Sequence, residues 1–529
     1  MDPSGIITII GLAVAIYAII PRERRLDLSL RISKGDWIII LLGLVIVHYI
    51  IFFPILKELD LVFDIGSWRF GFNEKNTTYL IFLLLGLYVL FRAKTAKVKR
   101  SNIGAVSDLF EELLLDKKYG ELALLVEQHI IKISELKNSY SFRNYIADKV
   151  RPISDFEFCL SDVKRSWVDK YFSSQLNWIS SVIEKEDVVP ETASSILRRL
   201  INNPEFVRYL SISRPYLGID ILDLDTGYTK DFLKNFLYSL IDDEGSIFYY
   251  ELDDTQSMIS YNRYHLSRSN KLIFYLLSDV SIGEKLAVYK PIGDRVCEFI
   301  DYDDRIIARY NEPLGTYCER QQSRCPIDSS VHFFDIMIIE SMHQGVRWHM
   351  WLYYLSTFVR KIINKLNPTS DVDLSDEWPT PFHYILYHIV RVMLGWLGEY
   401  SQVEDKSALQ MKNEHLCHDN GSIPKSTVLA LGNIVVMLVS SPALTDHFKK
   451  YILEIIIRHL VDHDHDSDQA ALNRILMISI LKNGYHNKID RYYIEKFSDL
   501  YSDVDEVLRY DVDSFNELLK SIKLECASI

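Results

Sequence analysis

The stretch Trp37–Leu56 reads WIIILLGLVIVHYIIFFPIL, twenty residues without a Lys, Arg, Asp or Glu, bounded by Asp36 and Lys57. A helix of that length crosses a hydrocarbon layer of ~30 Å. Two further apolar runs flank it, Gly5–Ile20 between Asp2 and Arg22, and Thr77–Phe91 between Lys75 and Arg92. Both reach spanning length once Pro3, Ser4, Pro21, Asn76 and Thr77 are counted at the interface. The pattern predicts a transmembrane domain over residues 1–92, with spans at about 4–21, 37–56 and 76–91. The first run is expected to be retained rather than cleaved as a signal peptide. It lacks a basic residue before it, and Pro21-Arg22-Glu23-Arg24-Arg25 follows in place of a small-residue cleavage site.

Orientation follows from the basic residues. The first loop carries Arg22, Arg24, Arg25, Arg31 and Lys34, and the third run is followed by Arg92, Lys94, Lys97, Lys99 and Arg100. The second loop carries only Lys57, Arg69 and Lys75 among acidic residues. The expectation is a multi-pass protein of a cell inner membrane, with its N-terminus outside and everything after Arg92 cytoplasmic. His48 lies inside the second span, and intramembrane ionisable groups are functional candidates by default. With no second charge to relay protons, it is read as a packing residue. Gly11, Gly43 and Gly86 would let spans approach closely and suit a homo-oligomer.

The remaining chain is acidic. In all, 59 Lys and Arg against 72 Asp and Glu give a net charge of −13, which argues against a general nucleic-acid binder. Twenty-one glycines and 15 prolines in 529 residues are about half the usual share of turn formers, so long helices are expected. Six scattered cysteines are no disulfide scaffold, and cytoplasmic thiols stay reduced. The stripes Val106, Leu109, Phe110, Leu113, Leu114 and Leu122, Leu125, Val126, His129, Ile130, Ile133 predict a helical hairpin turning at Tyr119-Gly120. This opens a helical domain over 93–204. Residues 205–330 are less regular, with runs such as Ser246–Glu251 and Lys271–Leu277, and a small α/β insert fits there. From Val331 to the C-terminus the pattern is helical again. Thr380-Pro381 reads as a cap and first-turn proline. Thr427–Val439 is apolar but only 13 residues long, and is read as a buried core helix. The fold class is therefore mostly α.

Several motifs carry candidate chemistry. No GxxxxGK[ST] phosphate loop occurs. Asp223-Leu224-Asp225-Thr226-Gly227 after an apolar run resembles the Asp-x-Asp of aspartyl-phosphate enzymes, but has Gly227 where the fifth position wants Thr or Val, and reads as an acidic turn. His415-Leu-Cys417-His418 and Asp462–Asp466 crowd possible zinc ligands without matching partner pairs. Asp464-x-Asp466-x-Asp468 starts like a calcium loop and fails at Gln469 and Ile475. Glu340-x-x-His343 is half a di-iron motif without its second half. Trp348, Trp351, Tyr353, Tyr354 and Phe358 read as core. No cofactor and no metal are expected.

Arg458-His459-Leu-Val-Asp-His463 resembles the R-polar-x-x-x-H pattern of the HEPN ribonuclease family, all-α domains that often dimerise to assemble their site. The resemblance covers six residues and implies that Arg458 stabilises phosphate charge while His463 moves the 2′-hydroxyl proton. In organisation, three spans and a large helical body resemble bacterial membrane-anchored anti-phage or abortive-infection effectors. That resemblance implies a protein that perturbs the bilayer when its cytoplasmic region is engaged. A membrane-tethered ribonuclease and a non-catalytic scaffold are the alternatives. The expected partners are the lipid bilayer, further copies of the chain and a partner protein, with nucleic acid left open.

Overall fold

The computed structural model describes residues 34–59, 74–95, 98–100, 102–139, 188–224, 227–257, 263–314, 324–347, 350–406, 409, 422–462, 467–482, 484 and 488–528. Among them every element is a helix. The chain divides into two compact units: residues 1–206 with 223–228, and residues 207–222 with 229–529.

The first unit contains α1 (Lys34–Glu58), α2 (Glu74–Thr95), α3 (Ile103–Leu115), α4 (Tyr119–Lys137) and α5 (Val188–Ile201). α1 and α2 form an antiparallel pair. A Cβ on Gly43 would stand 2.8 Å from both Leu85 methyls, so glycine is what lets α1 close on α2 here. Near the same end the Tyr88 hydroxyl donates to the buried Asp36 carboxylate at 2.5 Å. Only α1 of this pair passes the length and hydropathy requirement for a span, over Gly35–Phe53 with mean hydropathy 2.4. The apolar part of α2 is Asn76–Val89, short of the ~20 residues a span needs. The expectation of three spans is corrected accordingly: of the three runs, one qualifies, one forms a helix with a shorter apolar stretch, and Gly5–Ile20 lies outside the described residues.

α3 and α4 form the expected hairpin, burying Val106, Phe110, Leu113, Leu122, Leu125, Val126 and Ile133. The turn is not at Tyr119-Gly120, where α4 has already begun. It lies at Asp116–Lys118, with Lys117 left-handed at φ 57°. There the Lys118 N–H reaches the Leu113 carbonyl and Lys117 N–H the Leu114 carbonyl, a Schellman closure that usually takes glycine. Glu205 ties this turn down by accepting from Lys117 Nζ at 2.9 Å and Tyr119 Oη at 2.6 Å. The run 162–184, also read as helical, lies outside the described residues.

The second unit holds the rest of the helices, with α6 (Pro204–Ser213) and α7 (Pro215–Asp223) leading into it. There follow α8 (Thr229–Asp242), α9 (Ile247–Ser257), α10 (Lys271–Leu277), α11 (Val280–Leu286), α12 (Tyr289–Tyr302) and α13 (Asp304–Tyr310). Then come α14 (Pro326–His343), α15 (Trp351–Lys365), α16 (Pro381–Gln402), α17 (Ile423–Ser440), α18 (Asp446–Asp462) and α19 (Ser467–Leu481). α20 (Arg491–Ser502), α21 (Glu506–Tyr510) and α22 (Asp513–Ser528) complete it. The small α/β insert is corrected: among the described residues of 205–330 there is no strand, and both apolar runs that suggested one are helical, α9 and α10. The Glu251 carboxylate of α9 accepts the Leu272 and Ile273 N–H groups at 2.8 and 2.9 Å, capping α10 from outside. Asp223 ends α7, so the apolar lead-in to the Asp-x-Asp stretch is helix rather than the strand an aspartyl-phosphate site requires.

α14 is the axis of this unit. Every residue from Pro326 to Met342 is buried. α9, α12 and α16 pack around it, and Phe333, Phe334, Trp351 and Phe358 stack between it and α15. α17 passes the span criterion by composition, but 72% of its apolar window is buried, against 22% in α1. It is the core helix expected, laid tightly on α19. A Cβ on Gly432 would stand 2.8 Å from the Ser479 backbone carbon. Gly395, inside α16, meets nothing within 4 Å.

These two glycines should respond oppositely to one change. Gly432→Ala should lower the thermal midpoint, at a cost of about 1–3 kcal/mol, because backbone must move. Gly395→Ala should raise it by up to ~1 kcal/mol through helix propensity. Equal responses in tryptophan-monitored melts would contradict this packing.

Candidate functional site

Of the residues singled out in the sequence, Arg458 lies where a ligand could reach it. It is exposed near the C-terminal end of α18 and lines a groove of about 520 Å³ between α16 and α18. α16 contributes Tyr387, Arg391 and Leu394 at positions i, i+4 and i+7, one stripe of the helix. α18 contributes Tyr451, Glu454, Ile455, Arg458 and His459, with the same spacing. Glu377 also lines it.

The groove has an aromatic wall. Tyr387 and Tyr451 lie 5.8 Å apart by ring centroid, and Trp378 packs on Tyr387 at 5.0 Å. Burial, reinforced by Tyr387 and Glu377, pushes the Tyr451 hydroxyl up to about 12, so it stays a neutral donor. Arg391 donates to the Tyr387 hydroxyl at 3.2 Å and meets no carboxylate among the described residues. Arg458 meets no hydrogen-bonding or ion-pair partner among the described residues. Glu454 is paired with Lys450 at 3.6 Å.

Beneath the groove, α16 faces α14 with ionisable groups. His388 Nδ1 engages Asp328 Oδ1 at 2.6 Å. Burial opposes protonation of His388, but the Asp328 charge and hydrogen bond outweigh it and hold the imidazole above its usual value. Trp396 Nε1 and Tyr264 Oη donate to Asp335 at 2.7 and 2.5 Å. Arg263 grips Glu340 through two bonds of 3.0 and 2.8 Å, and His343 meets Glu399 at 2.8 Å. Both residues of the half di-iron motif are thus committed to partners. His332 is the exception: its Nε2 is buried without a hydrogen bond. Burial, helped by the neighbouring His388 charge, pushes its imidazole down to about 4. Asp328, His332 and Asp335 were missed in the sequence, although their i, i+4, i+7 spacing inside the apolar run from Ile327 to Ile339 was a readable signal.

The other candidates fall elsewhere. His463, His415, Cys417, His418, Asp464 and Asp466 lie outside the described residues, as does Gly11. No group of three or more His, Cys, Asp or Glu among the described residues is arranged to hold a metal ion. His48 is exposed on α1, its Nδ1 engaged by the Leu44 carbonyl at 2.9 Å. Gly43 meets α2, whereas Gly86 meets nothing within 4 Å. Trp351 and Phe358 are core as read, while Tyr353 is half exposed and the Tyr354 hydroxyl donates to Asp294 at 2.7 Å. No protein-family model, curated protein or solved structure matches the chain.

The neutral His332 sets a pH dependence. Its unfolded imidazole titrates near 6.5 and its folded one near 4, so its contribution is intact above about 6.5 and is lost as the pH falls from there toward 4. His383, pushed by burial to about 4, acts the same way. His388, held up by Asp328, and Glu251, raised by burial to about 7, oppose them. His332→Phe should therefore shrink the loss of stability between pH 7 and pH 5 by about 2 kcal/mol. A melt series in which parent and variant lose equally would contradict this.

Proposed function

We propose that the protein is a membrane-anchored effector, a helical body tethered by its N-terminal helices, which disturb the bilayer when that body is engaged.

 The observation that carries this reading is the surface of the α1–α2 pair. Outside the seam at Gly43, Leu85, Asp36 and Tyr88, the two helices turn their apolar side chains outward. Ile38, Leu41, Leu42 and Val45 of α1 and Leu84, Leu87 and Phe91 of α2 are all more than half exposed. Water does not tolerate a continuous apolar face of this kind, whereas acyl chains or further apolar helices do. α1 supplies a full-length span, and α2, with its shorter apolar stretch, suits local thinning of the bilayer or association with other helices. On the basic-residue counts the body lies on the cytoplasmic side of a bacterial inner membrane. The likeness in organisation to anti-phage effectors gives the reading its biological setting.

A second reading, a membrane-tethered HEPN-like ribonuclease, is favoured by one observation: Arg458 meets no partner among the described residues and lines a groove open to solvent. In that reading Arg458 steadies phosphate charge and His463 moves the proton.

Two experiments bear on these readings. A topology reporter fused after Arg100 should read cytoplasmic and one inserted near Trp68 should read outside; a periplasmic signal after Arg100 overturns the orientation. In a growth assay on induced expression, deletion of residues 1–92 and Gly43→Leu should each relieve toxicity, the latter by wedging α1 from α2. Gly86→Leu should leave the α1–α2 seam intact, so relief by that change would report packing against a further copy. Relief by His463→Ala alone, with RNA cleavage lost, would transfer the function to the nuclease reading.

A further inference from the structure

We infer that the groove between α16 and α18 is a binding site for a nucleoside phosphate. The inference does not depend on the bilayer-disturbing role or on RNA cleavage. It rests on the combination of side chains that the two helical stripes bring together. Among the described residues Arg391 and Arg458 meet no carboxylate, one on each wall, and Arg391 donates to the Tyr387 hydroxyl. Solvent-facing guanidiniums are forked donors suited to phosphate oxygens. Tyr387 and Tyr451, backed by Trp378, give an aromatic wall against which a base can pack.

The carboxylates distinguish this ligand from a bare anion. Glu377, which accepts from the Tyr451 hydroxyl, and Glu454, beside Lys450, also line the groove and disfavour inorganic phosphate. A nucleoside phosphate carries what both kinds of side chain need. Its phosphate answers the arginines, and its ribose hydroxyls and exocyclic amine are donors for the carboxylates. The volume, about 520 Å³, is in the range of small-ligand sites. It favours a free nucleotide over a polymer, which would need a basic track along the surface. Leu394 and Ile455 supply apolar floor between the charged ends.

The test is equilibrium binding of ATP and AMP to the full-length protein in lipid nanodiscs, with adenosine, inorganic phosphate and a single-stranded RNA oligonucleotide as comparison probes. Saturable nucleotide binding is expected, with adenosine and inorganic phosphate each at least tenfold weaker. Arg391→Ala and Arg458→Ala should each weaken binding at least tenfold, while circular dichroism and thermal midpoint stay at the parent values, since both side chains are exposed. Tyr451→Leu should weaken nucleotides but leave the residual affinity for inorganic phosphate unchanged. Absence of saturable binding, binding indifferent to both arginines, or inorganic phosphate binding as well as ATP would each overturn the inference. RNA binding far more tightly than any mononucleotide would overturn it in favour of a nucleic-acid surface.

Discussion

A helix buried on every side cannot carry charge unless each charge is met, and α14 carries four ionisable groups between Asp328 and Glu340. Three carboxylates find donors: Asp328 from His388, Asp335 from Trp396 and Tyr264, Glu340 from Arg263. Those donors come from α16 and from the segment at 263–264, so the pairing fixes where both must lie. A core of the same size made only of leucine and isoleucine could slide by a turn at little cost. Removing one partner here would strand a charge in the interior, a penalty of about 3–5 kcal/mol that no neighbouring register relieves. The aromatic stack of Phe333, Phe334 and Trp351 fills the other faces of α14, but stacking tolerates small shifts that the hydrogen bonds do not.

Much of this architecture is legible in the residues. The stripe from Val106 to Leu114 and the Thr380-Pro381 start both appear as helices, and Thr380 caps α16 at the His383 amide. What was not legible has physical reasons. Lys271–Leu277 is apolar from Leu272 onward and only seven residues long, too short for period 3.6 to separate from period 2. Its helical form depends on Glu251, twenty residues away, accepting its first amides. The start of α14 was hidden because Cys325, rather than Ser, Thr, Asp or Asn, accepts the Asp328 N–H. The turn at Lys117 was hidden because a lysine sits in a conformation that sequence rules reserve for glycine.

The groove was half legible. The spacing from Arg458 onward drew attention for its likeness to a nuclease motif. Its partner stripe, Tyr387–Arg391–Leu394, sits 64 to 71 residues earlier and has no local signature. Only the packing of α16 on α18 brings the two together. The same holds in the N-terminal pair. Asp36 reads as the boundary of an apolar run and Tyr88 as one aromatic in another, and nothing in either run announces their hydrogen bond.

α16 bears two unrelated surfaces offset by a single residue. Tyr387 and Arg391 look outward, and His388, between them in the chain, is locked into the interior. Exchange of the outward set leaves every inward bond untouched, so descendants of this chain can rewrite what the groove selects while inheriting the same scaffold. The cost of such diversification falls on a few exposed positions rather than on folding, and a lineage under pressure to change its ligand has a short mutational path along which to do so.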